Sequence, residues 1–350
     1  MTADRMVAHL RDQAAACRRL GSPLYAELLA RVADDVEAGG PAADVLRGHE
    51  QDPGPSALGL RLMGGVHRLV LERRAPELAA TYPSVGGTGD AVAAWPALRA
   101  LLARDREELR GWLDQPPQTN EVGRATALVG ALHHLVAQRP GPLRLLEIGA
   151  SAGLNLRADR FRVELGDGRS AGPRDSPVVL RNAWQGVLPP LDVTLEVVER
   201  LGCDDAPVDP TTTEGRLLLT SYVWPDQSER LERLRGALEL ARELPATVEQ
   251  SGAADFLDRV HLVEGTTTVV WHSVMWQYLD HAERGRVRRR LDRLGDSATT
   301  TTGLAEVSME PRRRSAGSAH EFLVVLRVWP GGGERVLGVA APHGLPTTWE

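Results

Sequence analysis

The mostly apolar run Leu143–Ile148 ends in a turn punctuated by Gly149 and Gly153, and this segment, LRLLEIGASAGLNL, constrains the chain more than any other. Glycine lets a backbone reverse within a few residues, so the segment reads as a buried parallel strand, a tight turn and the start of a helix. Such a strand needs parallel neighbours, and the residues downstream supply them. Thr194–Glu199 and Thr267–Trp271 are similar runs and Leu304–Met309 is a weaker one, with the helical stretches Ser228–Glu243 and Ala282–Leu294 between them. Strands alternating with helices of that length imply βαβ units. Glu321–Val328, the turn Pro330–Gly333 and Arg335–Ala340 then read as an antiparallel hairpin. Upstream the pattern is different. Ala3–Leu20, Leu24–Ala38, Leu58–Glu72, Trp95–Leu113 and Asn120–Gln138 carry apolar residues at helical spacing, with Asn120 placed as an N-cap, and no strand is expected before residue 143.

Bulk properties narrow the function. A chain of 350 residues suffices for one large domain or two modest ones. A net charge of −6 argues against a general binder of nucleic acid. Every basic residue is arginine, which excludes a mechanism built on a catalytic lysine. Cys17 and Cys203 fit neither a disulfide framework nor a zinc spacing, and no metal is expected. The first residues lack the charged start and apolar run of a secretory signal, and no stretch approaches the ~18 apolar residues of a membrane span. The expectation is a cytoplasmic protein with a small-molecule substrate, no nucleic-acid or membrane partner, and an oligomeric state left open.

The segment Glu147–Gly153 supports two chemistries. In one, the glycines let the backbone approach a ligand while Glu147 receives an amino group. Methyltransferases of the Rossmann-like class use an acidic-x-Gly-x-Gly-x-Gly turn of this kind to hold S-adenosylmethionine. Glu147, Gly149 and Gly153 fit it, and Ser151 replaces the middle glycine. In the other, the same letters spell G-x-S-x-G, the nucleophile elbow of α/β-hydrolases, with Ser151 as nucleophile. A hydrolase would place several strands before its elbow, where this chain has helices, and His272, His320 and His343 stand in no distinctive triad context. A plainer reading, a turn that only packs a helix on a sheet, stays open. The expected fold class is therefore α/β, a Rossmann-like methyltransferase-type sheet with a C-terminal antiparallel hairpin. A helical N-terminal region over residues 1–118 would act as a lid on the substrate side, and residues 119–350 would form the sheet domain.

A cofactor site of this type needs further residues. An acid at the end of the second strand would accept the ribose hydroxyls. The strand TLEVVERLGCDDAPVD ends in Gly202-x-Asp204-x-x-Pro207, which places that acid at Asp204 and makes Phe161–Asp192 an insertion; Asp204 and Asp205 as plain loop acids is the alternative. In Gln250–Leu257 a backbone N–H at Ala253 or Ala254 would read the adenine edge and Asp255 would accept its amine, with Asp255 as a helix N-cap as the alternative. The strand reading TTTVVWHS puts His272 and Ser273 at its carboxyl end, where ligands of open α/β sheets bind. His272 is the expected general base and Glu121 the second choice, while Trp276 would wall the substrate pocket; a structural histidine and a core aromatic are the alternatives.

Several longer segments carry a resemblance. SPLYAELLARVADD (Ser22–Asp35), TYPS (Thr81–Ser84), QTNEVGR (Gln118–Arg124), EIGASAGLNL (Glu147–Leu156) with DRF (Asp159–Phe161), the stretch Gly202–Pro210, VWPDQSERL (Val223–Leu231), WHSVMWQYL (Trp271–Leu279) and the closing WPGG and PHG resemble the bacterial family catalogued as domain of unknown function 2332. The resemblance covers nearly the whole chain in the same order. It implies a C-terminal part like an S-adenosylmethionine-dependent methyltransferase, and a glycine turn in which serine belongs. It also draws attention to two segments. Asn120, Glu121 and Arg124 either cap a helix or stand over cofactor or a substrate carboxylate, and Asp226 or Ser228 would cap Ser228–Glu243. The leading expectation is a methyltransferase acting on a small molecule. A serine hydrolase using Ser151 and a non-catalytic sensor or scaffold with a methyltransferase-like fold are the alternatives.

Overall fold

The computed structural model describes residues 2–115 and 117–350. The chain divides into two compact units, Met1–Thr119 with Thr213–Leu231, and Asn120–Thr212 with Glu232–Glu350. The elements begin with helices α1 (Thr2–Arg19), α2 (Pro23–Glu37), α3 (Pro41–Leu46), α4 (Leu58–Leu71), α5 (Pro76–Ala79), α6 (Ala91–Arg104) and α7 (Arg106–Gly111). Next come α8 (Ala125–Gln138), β1 (Leu143–Ile148), β2 (Arg162–Glu164), β3 (Ser170–Ala171), β4 (Val179–Leu180), β5 (Trp184–Gly186) and β6 (Val197–Asp204). Helices α9 (Thr213–Ser221) and α10 (Ser228–Glu243) precede β7 (Thr247–Gln250), α11 (Ala253–Arg259), β8 (Thr266–Ser273) and α12 (His281–Asp296). The chain ends with β9 (Thr302–Arg313), β10 (His320–Trp329), β11 (Gly333–Ala340) and β12 (Thr347–Trp349).

The first unit is helical for reasons visible in its letters. Leu24, Leu28, Val32 and Val36 recur every four residues along α2 and are all buried. Pro23 sits in the first turn of that helix, and the Ser22 hydroxyl accepts from Tyr25 N–H at 3.3 Å. A second cap comes from far along the chain. Asp226 accepts from Ser22 Oγ at 2.6 Å and from Leu24 N at 3.0 Å. Asp226 therefore serves the start of α2, not the start of α10 that its sequence position suggests. The expected helix Trp95–Leu113 is broken, because Asp105 leaves the helical region at φ −107°, ψ 30° and the chain restarts as α7.

The second unit is built on a nine-stranded sheet in the order β5-β12-β11-β10-β9-β8-β1-β6-β7. Pairings from β7 through β9 are parallel; β9, β10, β11 and β12 pair antiparallel, and β12 pairs parallel with β5. The architecture is thus mixed α/β with a large, mostly parallel sheet, and β10–β11 is the hairpin expected from the sequence. Among the described residues no strand precedes β1. Strand β1 is the middle one of the five parallel strands β9-β8-β1-β6-β7, with Leu146 in register with Leu201 of β6 on one side and Val270 of β8 on the other. The chain winds outward from β1 to β6 and β7, then crosses to β8 and β9. That reversal is a topological switch point at the carboxyl ends of β1 and β8, the usual place for a ligand in an open sheet. Strand β6 begins later than the apolar run Thr194–Glu199 and continues through the polar Glu199 and Arg200, ending at Asp204 as the Gly202-x-Asp204-x-x-Pro207 ending predicts. The Phe161–Asp192 segment holds β2, β3 and β4 in a small separate sheet.

Candidate functional site

The turn after β1 has three left-handed residues, Gly149 (φ 69°), Ser151 (φ 53°) and Gly153 (φ 63°). A Cβ on Gly149 would lie 2.8 Å from Met275 Cβ, and one on Gly153 would lie 2.7 Å from Val248 Cγ2. Both positions need glycine on grounds of backbone conformation and close packing together. Ser151 adopts the same conformation with a side chain, and the turn holds it there: Ser151 N–H donates to Asp204 Oδ2 at 2.8 Å, and Ser151 O accepts from Val208 N at 3.1 Å. The expected helix after the turn is replaced by a 3-10 segment, Leu154–Arg160, with a kink at Arg157. The Arg157 guanidinium bonds Gly153 O at 2.8 Å and Leu244 O at 2.7 Å, tying the kink to two carbonyls.

Asp204 ends β6 beside this turn. Its carboxylate accepts from Ser151 N and, at 3.0 Å, from Ala206 N, which leaves lone pairs for further donors. The groups expected at an adenine are committed elsewhere. Ala254 N–H donates to Glu283 Oε1 at 2.8 Å, and Asp255 is ion-paired with Arg286. Nor is Asp255 an N-cap, since α11 opens at Gly252 and Glu283 reaches across from α12 to its first turn.

Asn120 does not cap a helix either. Its Oδ1 accepts from Leu154 N at 2.8 Å, and Glu121 O accepts from Asn155 Nδ2 at 3.3 Å. The Glu121 side chain takes the capping place, accepting from Gly123 N at 3.0 Å before α8 begins at Ala125. Arg124 bonds Ser273 O at 3.4 Å and Pro342 O at 3.3 Å. The segment Asn120–Arg124 is therefore joined to both the glycine turn and the end of β8.

Two buried charged residues on β1 contrast sharply. Arg144 has three partners, Glu199 at 2.5 Å, His261 O at 2.6 Å and Thr268 Oγ1 at 3.1 Å. Glu147 is 2 % exposed, and its Oε2 has no hydrogen-bond partner. Asn155 Oδ1 and Trp271 Nε1, also buried, are orphaned too. Burial pushes the Glu147 carboxyl up to about 8; the nearby Asn155 and Trp271 pull it back in part, and the Asp204 charge adds to the rise. A buried polar atom without a partner costs about 1–3 kcal/mol, so the unsatisfied Oε2 of Glu147, close to Asn155 and Trp271, marks the end of β1 as a place where a ligand or water would complete the bonding.

At the end of β8, His272 is buried with its ring between two acids of β9. Nδ1 lies 2.8 Å from Glu310 Oε1 and Nε2 lies 3.5 Å from Glu306 Oε1. Burial alone would lower its pKa, but the hydrogen bonds and charges of Glu306 and Glu310 outweigh that and raise it to about 9. His272 is thus held as a cation, and the expected general base is not available as a base near neutral pH. Glu310 Oε1 also faces Met275 N at 3.2 Å and Trp276 N at 3.4 Å, which fixes the segment that lays Met275 against Gly149. Val274, at φ 51°, carries the strain of that turn. Trp276 stacks on the His272 ring, centroids 5.2 Å apart, with the Arg288 guanidinium also 5.2 Å from its centre. Glu306 and Glu310 were not anticipated. Their signal is two acids four apart in the otherwise apolar strand LAEVSME, flanking Ser308, which is in register with His272.

A cavity of about 560 Å³ lies elsewhere in this unit, beside His133, Asp159, Phe161 and Glu196 at the amino-terminal approach to β6. None of Glu147, Ser151, Asp204, Glu121 and His272 lines it. The orphaned atoms and the sheet topology make the carboxyl ends of β1 and β8 the stronger candidate.

A family model described as an uncharacterised protein conserved in bacteria, domain of unknown function 2332, matches residues 7–349. The chain belongs to this family. The match takes in both units, so Asn120–Arg124, the glycine turn and the β8 end are all parts of the DUF2332 sequence. No curated protein and no solved structure matches the chain. No helix among the described residues is long and apolar enough to cross a membrane.

Proposed function

We propose that the sheet unit binds S-adenosylmethionine and serves transfer of its methyl group to a small molecule. The observation that carries this reading is Glu147: a buried carboxyl at the end of β1 whose Oε2 has no hydrogen-bond partner, beside a left-handed glycine turn. An ammonium group is the ligand such a carboxyl lacks. Glu147 would hold the amino group of the methionine part, and the spare lone pairs of Asp204 would take the ribose hydroxyls. The cofactor, when bound, supplies an electrophilic methyl group on sulfur. Alignment of the acceptor with that methyl would provide most of the rate. Glu121 becomes the carboxylate for proton removal, and the His272 cation orients, held by Glu306 and Glu310. Ala254 and Asp255 are not part of the reading.

Calorimetry on the intact chain tests it. Because free Glu147 titrates at about 8, it is largely protonated at pH 7, and an ammonium ligand would expel that proton. Titration with S-adenosylmethionine or S-adenosylhomocysteine in buffers of different ionisation enthalpy is expected to show proton release, which Glu147→Gln abolishes along with at least tenfold in affinity. Absence of binding to the folded protein sinks the proposal. Binding without transfer to any acceptor would favour the sensor or scaffold. The hydrolase reading keeps one favourable observation, the left-handed Ser151 in G-x-S-x-G, but the histidine at the β8 end is engaged by two acids.

A further inference from the structure

The helical unit holds a second set of groups with chemical potential. His67 of α4 is fully buried, and the turn after α5 brings Ser84 to it. Ser84 Oγ lies 2.8 Å from His67 Nε2, and His67 Nδ1 lies 3.1 Å from the carbonyl oxygen of Ser221, the last residue of α9. A carbonyl only accepts, so Nδ1 carries the hydrogen, Nε2 presents its lone pair, and the Ser84 hydroxyl donates. Nucleophile, base and orienting acceptor thus stand in the order by which a histidine activates a serine, with a backbone carbonyl where an acid often stands. Burial drives the imidazole down to about 4, so at neutral pH the ring is uncharged with Nε2 unprotonated, and as a base it is weak. Tyr82 packs its ring 5.6 Å from that of His67.

We propose that Ser84 and His67 form a second nucleophilic site, one that takes an acyl or phosphonyl group from a small activated ester. Ser84 Oγ bonds to the acyl carbon as its proton passes to His67 Nε2. The bond from that carbon to the leaving oxygen then breaks, and the same proton goes to the departing alcohol, leaving an ester on Ser84. The serine is half-buried in the 3-10 turn Pro83–Val85, beside the exposed Val85, so only a short acyl group is proposed. Val85, Gly86 and Gly87 spend their N–H groups on Tyr82 O and Pro83 O, so the backbone offers the oxyanion little. Acylation is therefore slow, and it is better read by covalent capture than by turnover.

The test is an alkyl fluorophosphonate applied to the intact protein, with the modified peptides mapped by mass spectrometry. Ser315, exposed in the other unit, is the internal control. Ser84 is expected to label at least a hundredfold faster than Ser315, to keep doing so in Ser151→Ala, and to lose the label in Ser84→Ala. In a folded His67→Gln variant the rate should fall to that of Ser315. Labelling of Ser84 no faster than Ser315, or an unchanged rate in folded His67→Gln, overturns the proposal. If His67→Gln does not fold, the comparison of Ser84 with Ser315 in the unmodified chain decides alone. Labelling confined to Ser151 overturns it too and supports the hydrolase reading of the other site.

Discussion

At the scale of single residues, Glu147 is the group whose presence packing does not explain. A side chain of similar length without polar atoms would fill the same space with no desolvation cost. Glu147→Met is therefore expected to stabilise the folded chain by about 1–3 kcal/mol, the usual cost of a buried polar atom without a partner. The same change should abolish binding of the proposed cofactor. Urea unfolding and calorimetry on one preparation check both, and a destabilised Glu147→Met would mean that the carboxyl has a structural partner after all. The sequence announced Glu147 and the glycines because strand and turn chemistry are local. It did not announce Asn155 and Trp271, whose meaning depends on lying near that carboxyl. Asn120 and Asp226 do not cap the helices they precede, for the same reason. Each caps or tethers a segment distant in the chain, and no local pattern records that.

At the scale of elements, the end of β8 is held by one carboxylate oxygen. Glu310 Oε1 faces the His272 ring and the backbone N–H groups of Met275 and Trp276, so it joins strand β9 to the segment lying over Gly149. Glu310→Gln keeps an acceptor but removes the charge that balances the imidazolium. The His272 pKa should fall from about 9 toward its ordinary value, because burial then acts against Glu306 alone. Losing one member of a buried ion pair usually costs about 3–5 kcal/mol. Nitrogen-15 NMR of the His272 ring reads the first effect and thermal unfolding the second; an unmoved titration would show that Glu306 alone sets the charge. The elements themselves were largely legible. β1, β8 and the β10–β11 hairpin declared themselves as apolar runs, whereas β6 carries glutamate and arginine in mid-strand and was legible by its Gly202-x-Asp204 ending instead. The helix expected after the glycine turn became a 3-10 segment with a kink at Arg157, whose guanidinium reaches back to Gly153 O. Sequence periodicity does not register such a contact.

At the scale of the molecule, the two units carry titrating groups of opposite sign. A group whose pKa rises on folding holds its proton more tightly in the fold. Its contribution is complete below its ordinary pKa and is lost as pH climbs through the folded value. Glu147, at about 8, and His272, at about 9, are both of this kind and both lie in the sheet unit. Raising the pH from 7 to 9 should therefore loosen that unit. His67, in the helical unit, is depressed to about 4 by burial. The neutral ring is favoured in the fold, so its contribution is complete above an ordinary histidine pKa and is lost as pH falls from there through 4. Each group carries a slope of up to about 1.4 kcal/mol per pH unit while only one state is protonated. Hydrogen exchange followed by mass spectrometry resolves the units without requiring that they melt apart. Corrected for intrinsic rates, peptides of β1 and β8 are expected to lose protection at least tenfold between pH 7 and 9 while those of α4 hold theirs. Between pH 6.5 and 5 the α4 peptides should lose protection and those of β1 and β8 should gain it. Parallel changes in both units would show that the charges of Glu147, His272 and His67 do not govern their stabilities.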